Sequence, residues 1–350
     1  MRMQVSFPQT RYQGSKLKLL NWFHPIFRKI DFDTALDAFG GTGAVSYMLK
    51  IMGKEITYND LLTSNWYIGK ALIENNSKKL DPSKIESLFH RKNGYNYRTT
   101  IQDQFKGIYY TNAEDKLLDI VVQNISYLED QYEKSLAFFV LFQACIQKRP
   151  FNLFHRKNLY LRLNNVKRSF GNKKTWDTPF LELMLRALKE GNQAIYDNSR
   201  VNKAINFAIQ DVPIPDEGYD LVYLDPPYIS LKGVGVDYRD YYHFLEGICD
   251  YDKWEDLIDR DSKHKRLKLI KNDWNDPKQI LKAFEESISK FQDSKLVISY
   301  RDPGIPSIEA LKNILFNYKE DVSLFIKDYK YALTSKEKKV KEVLIFADNP

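Results

Sequence analysis

The tetrapeptide Asp225-Pro226-Pro227-Tyr228 is the part of this sequence whose residue types point most directly to chemistry. It follows the apolar run LVYL, and two prolines, which cannot continue a sheet ladder, would take the chain out of a strand in a stiff geometry. An aromatic amino group is a poor nucleophile because its lone pair is delocalised into the ring. The Asp225 carboxylate and the Pro226 carbonyl could accept hydrogen bonds from both amino hydrogens and so localise that pair, while Tyr228 stacks on the ring. A plain Asp-Pro turn is the alternative interpretation.

A second group of residues predicts a site for an adenosine-containing cofactor. Asp37-Ala38-Phe39-Gly40-Gly41-Thr42-Gly43 joins the predicted strand DTALDAF to the predicted helix AVSYMLKIM, and its glycines would let a ligand approach the backbone closely. Asp60 ends the next predicted strand, EITYND, where a carboxylate can accept hydrogen bonds from both ribose hydroxyls. A tight connection without a ligand, and a helix cap at Asp60, are the competing interpretations.

These motifs need a scaffold, and the first third of the chain predicts one, because strand-like and helical runs alternate as in a parallel sheet covered by helices. Further strands are predicted at 205–211, 219–225, 295–300, 321–329 and 342–348, the last two as an antiparallel pair. Between them the alternation stops and helical patterns dominate. We therefore expect residues 1–75 and 201–350 to form one domain and residues 76–200 to form a mostly helical inserted domain.

The motifs together resemble the N6-adenine DNA methyltransferases of the DNA adenine methylase class. Arg11-Tyr12-Gln13-Gly14-Ser15-Lys16 resembles the amino-terminal cofactor motif of that family, with Ser15 where a second glycine is usual. DAFGGTG resembles the F-x-G-x-G cofactor loop, and DPPY is similar to the catalytic tetrapeptide. The resemblance covers residues 8–75 and 203–348.

The resemblance implies a Rossmann-like, seven-stranded α/β fold that binds S-adenosylmethionine, with the inserted domain recognising the DNA target. It implies Asp60 on the ribose, Asp211 at the cofactor adenine, and Asp225, Pro226, Pro227 and Tyr228 as the catalytic residues. The implied cofactor-binding residues are Tyr12, Gly14, Lys16, Asp37, Phe39, Gly41, Gly43, Asp60, Asp211 and Asp225.

Charge distribution points to the DNA-binding region. The chain has a net charge of +7, and no acidic residue occurs between Glu133 and Asp177. This segment interleaves aromatic residues with basic ones, which suits a surface that follows phosphates in double-stranded DNA. A solvated basic face is the alternative. The basic residues expected to contact DNA are Lys148, Arg149, Arg156, Lys157, Arg162, Lys167, Arg168, Lys173 and Lys174.

Several functions remain open at this point. Methylation of the cytosine amino group or of an RNA base would make similar demands on the tetrapeptide, and a catalytically silent nucleic-acid-binding module could keep the fold. Methylation of a cytosine ring carbon is disfavoured because neither Cys145 nor Cys249 follows a proline.

Composition limits the remaining possibilities. The cysteines are far apart and lack metal-ligand spacing, so we expect no metal site. We find no apolar run of about 18 residues and no secretory pattern, so we expect a cytoplasmic protein without a membrane span. A cognate restriction endonuclease is a possible partner.

Overall fold

A mixed β-sheet forms the centre of the computed structural model, which describes residues 7–164, 173–329 and 340–349. Its seven strands lie in the order β3-β2-β1-β4-β5-β7-β6. β7 is antiparallel to both neighbours, and the other pairs are parallel. The predicted α/β fold and the terminal antiparallel pair are therefore confirmed. The strands are β1 (Thr34–Asp37), β2 (Glu55–Asn59), β3 (Lys203–Ile205), β4 (Leu221–Leu224), β5 (Lys295–Asp302), β6 (Asp321–Tyr329) and β7 (Val340–Asp348).

Helices cover both faces of the sheet. In the described residues they are α1 (Leu20–Phe27), α2 (Ala44–Ile51), α3 (Thr63–Gly69), α4 (Pro82–Ser87), α5 (Thr100–Gln104), α6 (Asn112–Ser126), α7 (Gln131–Gln147), α8 (Tyr160–Leu163), α9 (Lys173–Asp177), α10 (Phe180–Ala194), α11 (Tyr238–Tyr241), α12 (His243–Cys249), α13 (Trp254–Leu257), α14 (Ile280–Lys290) and α15 (Ile308–Leu315). A π-helical segment, Lys70–Glu74, extends α3. Short 3₁₀ turns lie at Lys16–Leu19, Pro150–Asn152, Ile209–Asp211 and Asp273–Asn275.

The predicted strand at 205–211 is wrong in its position. β3 ends at Ile205, and Ile209–Asp211 forms a 3₁₀ turn. The side chain of Asn59 explains this difference, because its amide donates to the Phe207 carbonyl at 3.1 Å and its oxygen accepts from the Phe207 N–H at 3.0 Å. These bonds satisfy the backbone of Phe207 with a side chain, so the chain leaves the sheet there.

The helices of segment 76–200 share a core with helices that cover the sheet. α7 packs on α3, and α10 packs on α7 and α4. Cys145 lies in this core, where burial raises the pKa of its thiol to about 12, whereas Cys249 is only partly buried. In the described part of this segment, all regular elements are helical. No helix among the described residues has the length and apolar character needed to cross a bilayer.

Candidate active site

A cavity of about 1070 Å³ lies at the edge of the sheet where β2, β1 and β4 end. Since these strands are adjacent and parallel, Asp60, Asp37 and Asp225 come to one edge, as expected for ligand sites in open α/β sheets. The residues from the sequence motifs that line the cavity are Tyr12, Gly14, Lys16, Asp37, Phe39, Gly41, Asp60, Asp225, Pro226, Pro227 and Tyr228.

The glycine turn between β1 and α2 is shaped by the ring of Tyr58. A Cβ atom added to Gly40 would lie 2.1 Å from that ring, and the Tyr58 hydroxyl donates to the Gly41 carbonyl at 2.7 Å. Gly41 and Gly43 have φ of 52° and 76°, values that favour glycine. Gly43 is the residue before α2 and does not line the cavity, so it shapes the turn from outside.

Asp60 holds the glycine turn against the start of α3. Its carboxylate accepts from the N–H groups of Gly41 and Leu62, each at 2.8 Å. Burial raises the pKa of Asp60 to about 6, and the two backbone bonds oppose this rise. Each oxygen retains a lone pair, so the carboxylate can still accept a hydrogen bond from a ligand hydroxyl.

Asp37 presents an acceptor that the protein leaves unsatisfied. The Ser46 hydroxyl donates to Oδ2 at 2.6 Å, whereas Oδ1 is buried and has no hydrogen-bond partner among the described residues. Burial raises the pKa of Asp37 to about 7. A buried, unpaired acceptor in a cavity wall suits a ligand that brings a donor, above all a cationic one.

Asp225 stands in a charged network that the motifs did not predict. Lys16 Nζ lies 2.8 Å from Asp225 Oδ1 and 3.5 Å from Glu342 Oε1. Glu342 belongs to β7, and its side chain is fully buried. The Tyr228 hydroxyl is 2.9 Å from Asp225 Oδ1 and from Glu342 Oε1, and Ser299 donates to Glu342 at 2.8 Å. With one proton, the tyrosine donates to one carboxylate at a time.

The charges of this network act on one another. Burial raises the pKa of Asp225 to about 6, Lys16 lowers it and Glu342 raises it. Burial also works against the charged ammonium of Lys16, but the two carboxylates raise its pKa above the usual value. Both contacts to Asp225 are made to Oδ1. No hydrogen bond or ion pair joins Oδ2 to another described residue.

The amino-terminal motif is held in the cavity wall by tyrosines. The Tyr12 ring stacks on Tyr242 at 4.1 Å and on Tyr238 at 5.8 Å between ring centres. A Cβ atom on Gly14 would lie 2.3 Å from the Tyr238 hydroxyl, so these rings need glycine there. Ser15, at the usual glycine position, contacts the Thr42 hydroxyl at 3.2 Å and so ties this motif to the glycine turn.

The sequence did not predict some of the cavity residues, and two of the residues that it predicted, Gly43 and Asp211, do not line the cavity. Phe207 and Glu246 line it, and Glu246 accepts from the N–H groups of Thr63 and Ser64 at the start of α3. Phe207 follows β3, so an aromatic residue after a strand was a usable signal, whereas nothing local marks Glu246. Asp211 is exposed and does not line the cavity.

Three basic residues predicted to contact DNA are buried instead. Lys148 donates to the carbonyls of Trp176 and Thr178 and lies 2.9 Å from Glu114. Arg162 also pairs with Glu114, at 2.8 Å.

Arg149 is 1% exposed and donates to the Tyr109 carbonyl. Its guanidinium also lies 4.2 Å from the centre of the Tyr109 ring. Since the side chains of Lys148, Arg149 and Arg162 are buried and bonded to groups inside the protein, the expectation of DNA contact is corrected for these three residues.

The other basic residues of this segment differ in position. Arg156, Lys157, Lys173 and Lys174 are exposed, and Lys173 is paired with Asp177 at 2.9 Å. Lys167 and Arg168 lie outside the described residues. Arg156 and Lys157 lie near the cavity. The reason is that the N–H of Phe154, just before them, donates to the carbonyl of Tyr241 at 2.9 Å, and Tyr241 lines the cavity.

Comparison with known proteins agrees with this geometry. The family model described as D12 class N6 adenine-specific DNA methyltransferase matches residues 12–314. The chain therefore belongs to the D12 class of N6 adenine-specific DNA methyltransferases, and it is an enzyme that uses S-adenosylmethionine to methylate adenine in DNA.

Three relatives are named as methyltransferases or methylases. The chain is 26% identical to the type II methyltransferase M2.HphI of Haemophilus parahaemolyticus, over 98% of each protein. It is 27% identical to the modification methylase StsI of Streptococcus sanguinis, over 96% of this chain and 51% of that protein. It is 26% identical to the type II methyltransferase M.FokI of Planomicrobium okeanokoites, over 87% of this chain and 46% of that protein. The chain thus spans about half the length of the last two.

The donors and acceptors of the cavity fit this cofactor. S-adenosylmethionine brings an ammonium group, ribose hydroxyls and an adenine, and the cavity offers the unpaired Asp37 oxygen, the Asp60 carboxylate and the half-exposed ring of Phe207. Asn65 Oδ1 is a further buried acceptor without a partner among the described residues.

Proposed function

We propose that the chain methylates an adenine that has been flipped out of double-stranded DNA, and that the amino group of this base is held by Asp225 Oδ2 and the Pro226 carbonyl. The observation that supports this assignment is the asymmetry of the Asp225 carboxylate. Lys16 and Tyr228 hold one oxygen, and the other has no partner among the described residues and lies in the wall of a cavity large enough for a cofactor and a base.

The proposed chemistry follows from this geometry. The cofactor supplies an electrophilic methyl group. Two acceptors on the amino hydrogens localise the nitrogen lone pair and stabilise the positive charge that develops on that nitrogen during transfer. Tyr228 keeps the carboxylate in place through its hydroxyl, and its ring offers a stacking surface for the base.

For the cofactor, we propose that Asp37 Oδ1 accepts from the ammonium group and that Asp60 accepts from the ribose. Tyr12, Gly14 and Lys16 from the amino-terminal motif and Phe39 and Gly41 from the glycine turn line the same cavity. Asp211 is exposed, so we assign it no contact with the cofactor adenine. Phe207, which lines the cavity after β3, is our candidate for that position.

For the wider context, we propose that residues 76–200 form the target-recognition region and that Arg156, Lys157 and Lys174 are among its DNA contacts. Two relatives are named as type II methyltransferases and a third as a modification methylase. By analogy, we propose that this methylation protects cytoplasmic DNA from a partner restriction endonuclease.

The assignment of Asp225 is tested with the variant Asp225→Ala. Losing an acceptor that acts in the transition state should slow methyl transfer at least about 100-fold, which corresponds to about 2.7 kcal/mol, with little change in cofactor affinity. Single-turnover transfer from labelled S-adenosylmethionine measures the rate, nucleoside mass analysis identifies the product, and calorimetry measures cofactor binding.

The matched control is Asp216→Ala, which removes an exposed carboxylate outside this cavity. Transfer by Asp225→Ala within a few-fold of the parent rate would refute the assignment. Methylcytosine as product, or no transfer by the parent protein, would refute the reaction itself. Mapping methyladenine in DNA treated with the parent protein gives the recognised sequence.

A further inference from the structure

A short basic hairpin stands at the mouth of the active-site cavity. This basic hairpin comprises residues 257–271. Ile258 and Leu267 form an antiparallel bridge, the Asp259 N–H donates to the Arg266 carbonyl at 2.8 Å, and the Lys268 N–H donates to the Leu257 carbonyl at 2.8 Å. The cavity is lined by Leu257 and Leu267 from the hairpin base and by the segment from Ile270 onward.

The hairpin is anchored to α11, the first helix after the tetrapeptide. Arg239 donates to the Lys268 carbonyl at 2.7 Å, and Arg266 pairs with Asp259 at 3.2 Å and lies 4.0 Å from Asp240. Arg239 itself lines the cavity. The hairpin therefore has a fixed position relative to Asp225.

Two large apolar side chains stand exposed on this hairpin. Leu269 and Ile270 are each 65% exposed, and Ile270 also lines the cavity, so the pair lies at its rim. Val234, in the loop between Tyr228 and α11, is 66% exposed and also lines the cavity. Neighbouring exposed apolar residues beside a substrate cavity are typical of a surface that contacts a partner.

The charges around this pair select the partner. From Ser262 to Lys271 the chain carries Lys263, Lys265, Arg266, Lys268 and Lys271 and no acidic residue. Tyr109 links the hairpin to the region that carries Arg156, because its hydroxyl lies within hydrogen-bonding distance of the His264 carbonyl, at 2.9 Å, and of the Phe154 carbonyl. A basic surface that runs to the mouth of a DNA-methylating cavity fits the phosphate backbone of the substrate duplex.

We propose that Leu269 and Ile270 enter the space that the flipped adenine leaves in the duplex, while Lys268 and Lys271 contact the flanking phosphates. Apolar wedges of this kind unstack base steps and fill the resulting gap. The proposal rests on base flipping, which is itself part of the proposed function.

The wedge is tested with the double variant Leu269→Ala/Ile270→Ala on a duplex of the mapped sequence that carries 2-aminopurine at the target position. Fluorescence of this base rises when it leaves the stack. We expect the parent protein to raise it and the variant to raise it at least about tenfold less, with a similar fall in the single-turnover rate on adenine. Ile326→Ala, a 54% exposed isoleucine on β6, is the matched control and should behave as the parent.

A second substrate shows whether Leu269 and Ile270 fill the gap in the duplex or only form part of the cavity wall. When the target adenine faces an abasic site, less stacking and pairing must be broken, so the rate of the double variant should recover to within about twofold of the parent. An equal loss on both duplexes would overturn the wedge, as would parent-like fluorescence and rate on the paired duplex. Conversion of a dimer to a monomer by the double variant, with DNA behaviour unchanged, would assign the patch to a second copy and also overturn it.

The lysines are tested through the salt dependence of DNA affinity. Removing two phosphate contacts in Lys268→Ala/Lys271→Ala should lower the slope of log affinity against log salt by about 1.8, whereas Lys29→Ala, an exposed lysine shortly before β1, should not. An unchanged slope overturns the phosphate contacts. If the parent protein neither raises the fluorescence nor methylates the mapped adenine, base flipping fails and the proposed function fails with it, whereas a parent rise with an unaffected double variant overturns the wedge alone.

Discussion

Lys16 controls the protonation of Asp225, and its removal should change the pH range in which the enzyme works. The ammonium lies 2.8 Å from Asp225 and 3.5 Å from Glu342, and its side chain is only 8% exposed. In Lys16→Met the two buried carboxylates lose their shared cation. Breaking a buried ion pair from one side costs about 3–5 kcal/mol, and one pKa unit corresponds to about 1.36 kcal/mol.

The direction in which the pH midpoint of transfer shifts depends on the charge that Asp225 carries when it accepts a hydrogen bond from the substrate. The ionised carboxylate is the active form, so the rate of transfer should fall as pH falls through its pKa of about 6. Without Lys16 that midpoint should rise by about two pH units, at the lower end of the energy range. Glu342→Gln removes the neighbouring negative charge, so its midpoint should lie below that of the parent.

Single-turnover methyl transfer at saturating cofactor, measured from pH 5 to pH 10, reports these midpoints. The double variant Lys16→Met/Glu342→Gln should return towards the parent midpoint because one positive and one negative charge are removed together. The control Lys29→Met removes an exposed lysine and should change nothing. If Lys16→Met only lowers the plateau and keeps the parent midpoint, Lys16 does not hold the charge of Asp225 and the reasoning is refuted.

Three further outcomes follow from buried groups. Arg149→Ala should lower the free energy of unfolding in urea by about 3 kcal/mol and leave the salt slope of DNA binding unchanged, and a changed slope with unchanged stability would contradict its burial. Gly40→Ala should weaken cofactor binding in calorimetry at least about tenfold, because its methyl group would lie 2.1 Å from the Tyr58 ring; parent affinity would show that this ring can yield. Burial, and to a smaller extent nearby carboxylates, raise the pKa of Asp115 from 3.8 to about 8. Because the folded protein then binds this proton more tightly than the unfolded chain does, the free energy of unfolding should decrease as pH rises from about 4 to about 8. Asp115→Asn should therefore raise the thermal midpoint at pH 8 more than at pH 4, and equal effects at both values would contradict a protonated Asp115.

The parts of the site that sequence predicted are those set by short stretches of chain. Buried parallel strands appear as continuous apolar runs, and parallel strands bring their carboxyl ends to one edge of a sheet. The positions of Asp37, Asp60 and Asp225 around one cavity follow from these two facts alone. Strand ends that depend on side chains were less predictable. At the end of β3 the Phe207 N–H donates to the side chain of Asn59 instead of to a neighbouring strand.

The parts that sequence did not predict depend on contacts between distant residues. Arg149 belongs to a run of basic residues that looked solvent-facing, but it follows α7, which is buried on nearly all sides, and so enters the core with that helix. Lys341 and Glu342 are neighbours in β7 and point to opposite faces of the sheet, and the sequence does not show which of the two faces the core. Only the pairing of β7 with β5 brings Glu342 beside Lys16.

That antiparallel strand has a consequence for how such enzymes diversify. The family match ends at residue 314, whereas β7 begins at Val340, so Glu342 comes from outside the part of the chain that carries the shared motifs. A single exchange on this last strand could retune the acidity at which the enzyme works and leave every recognisable motif intact.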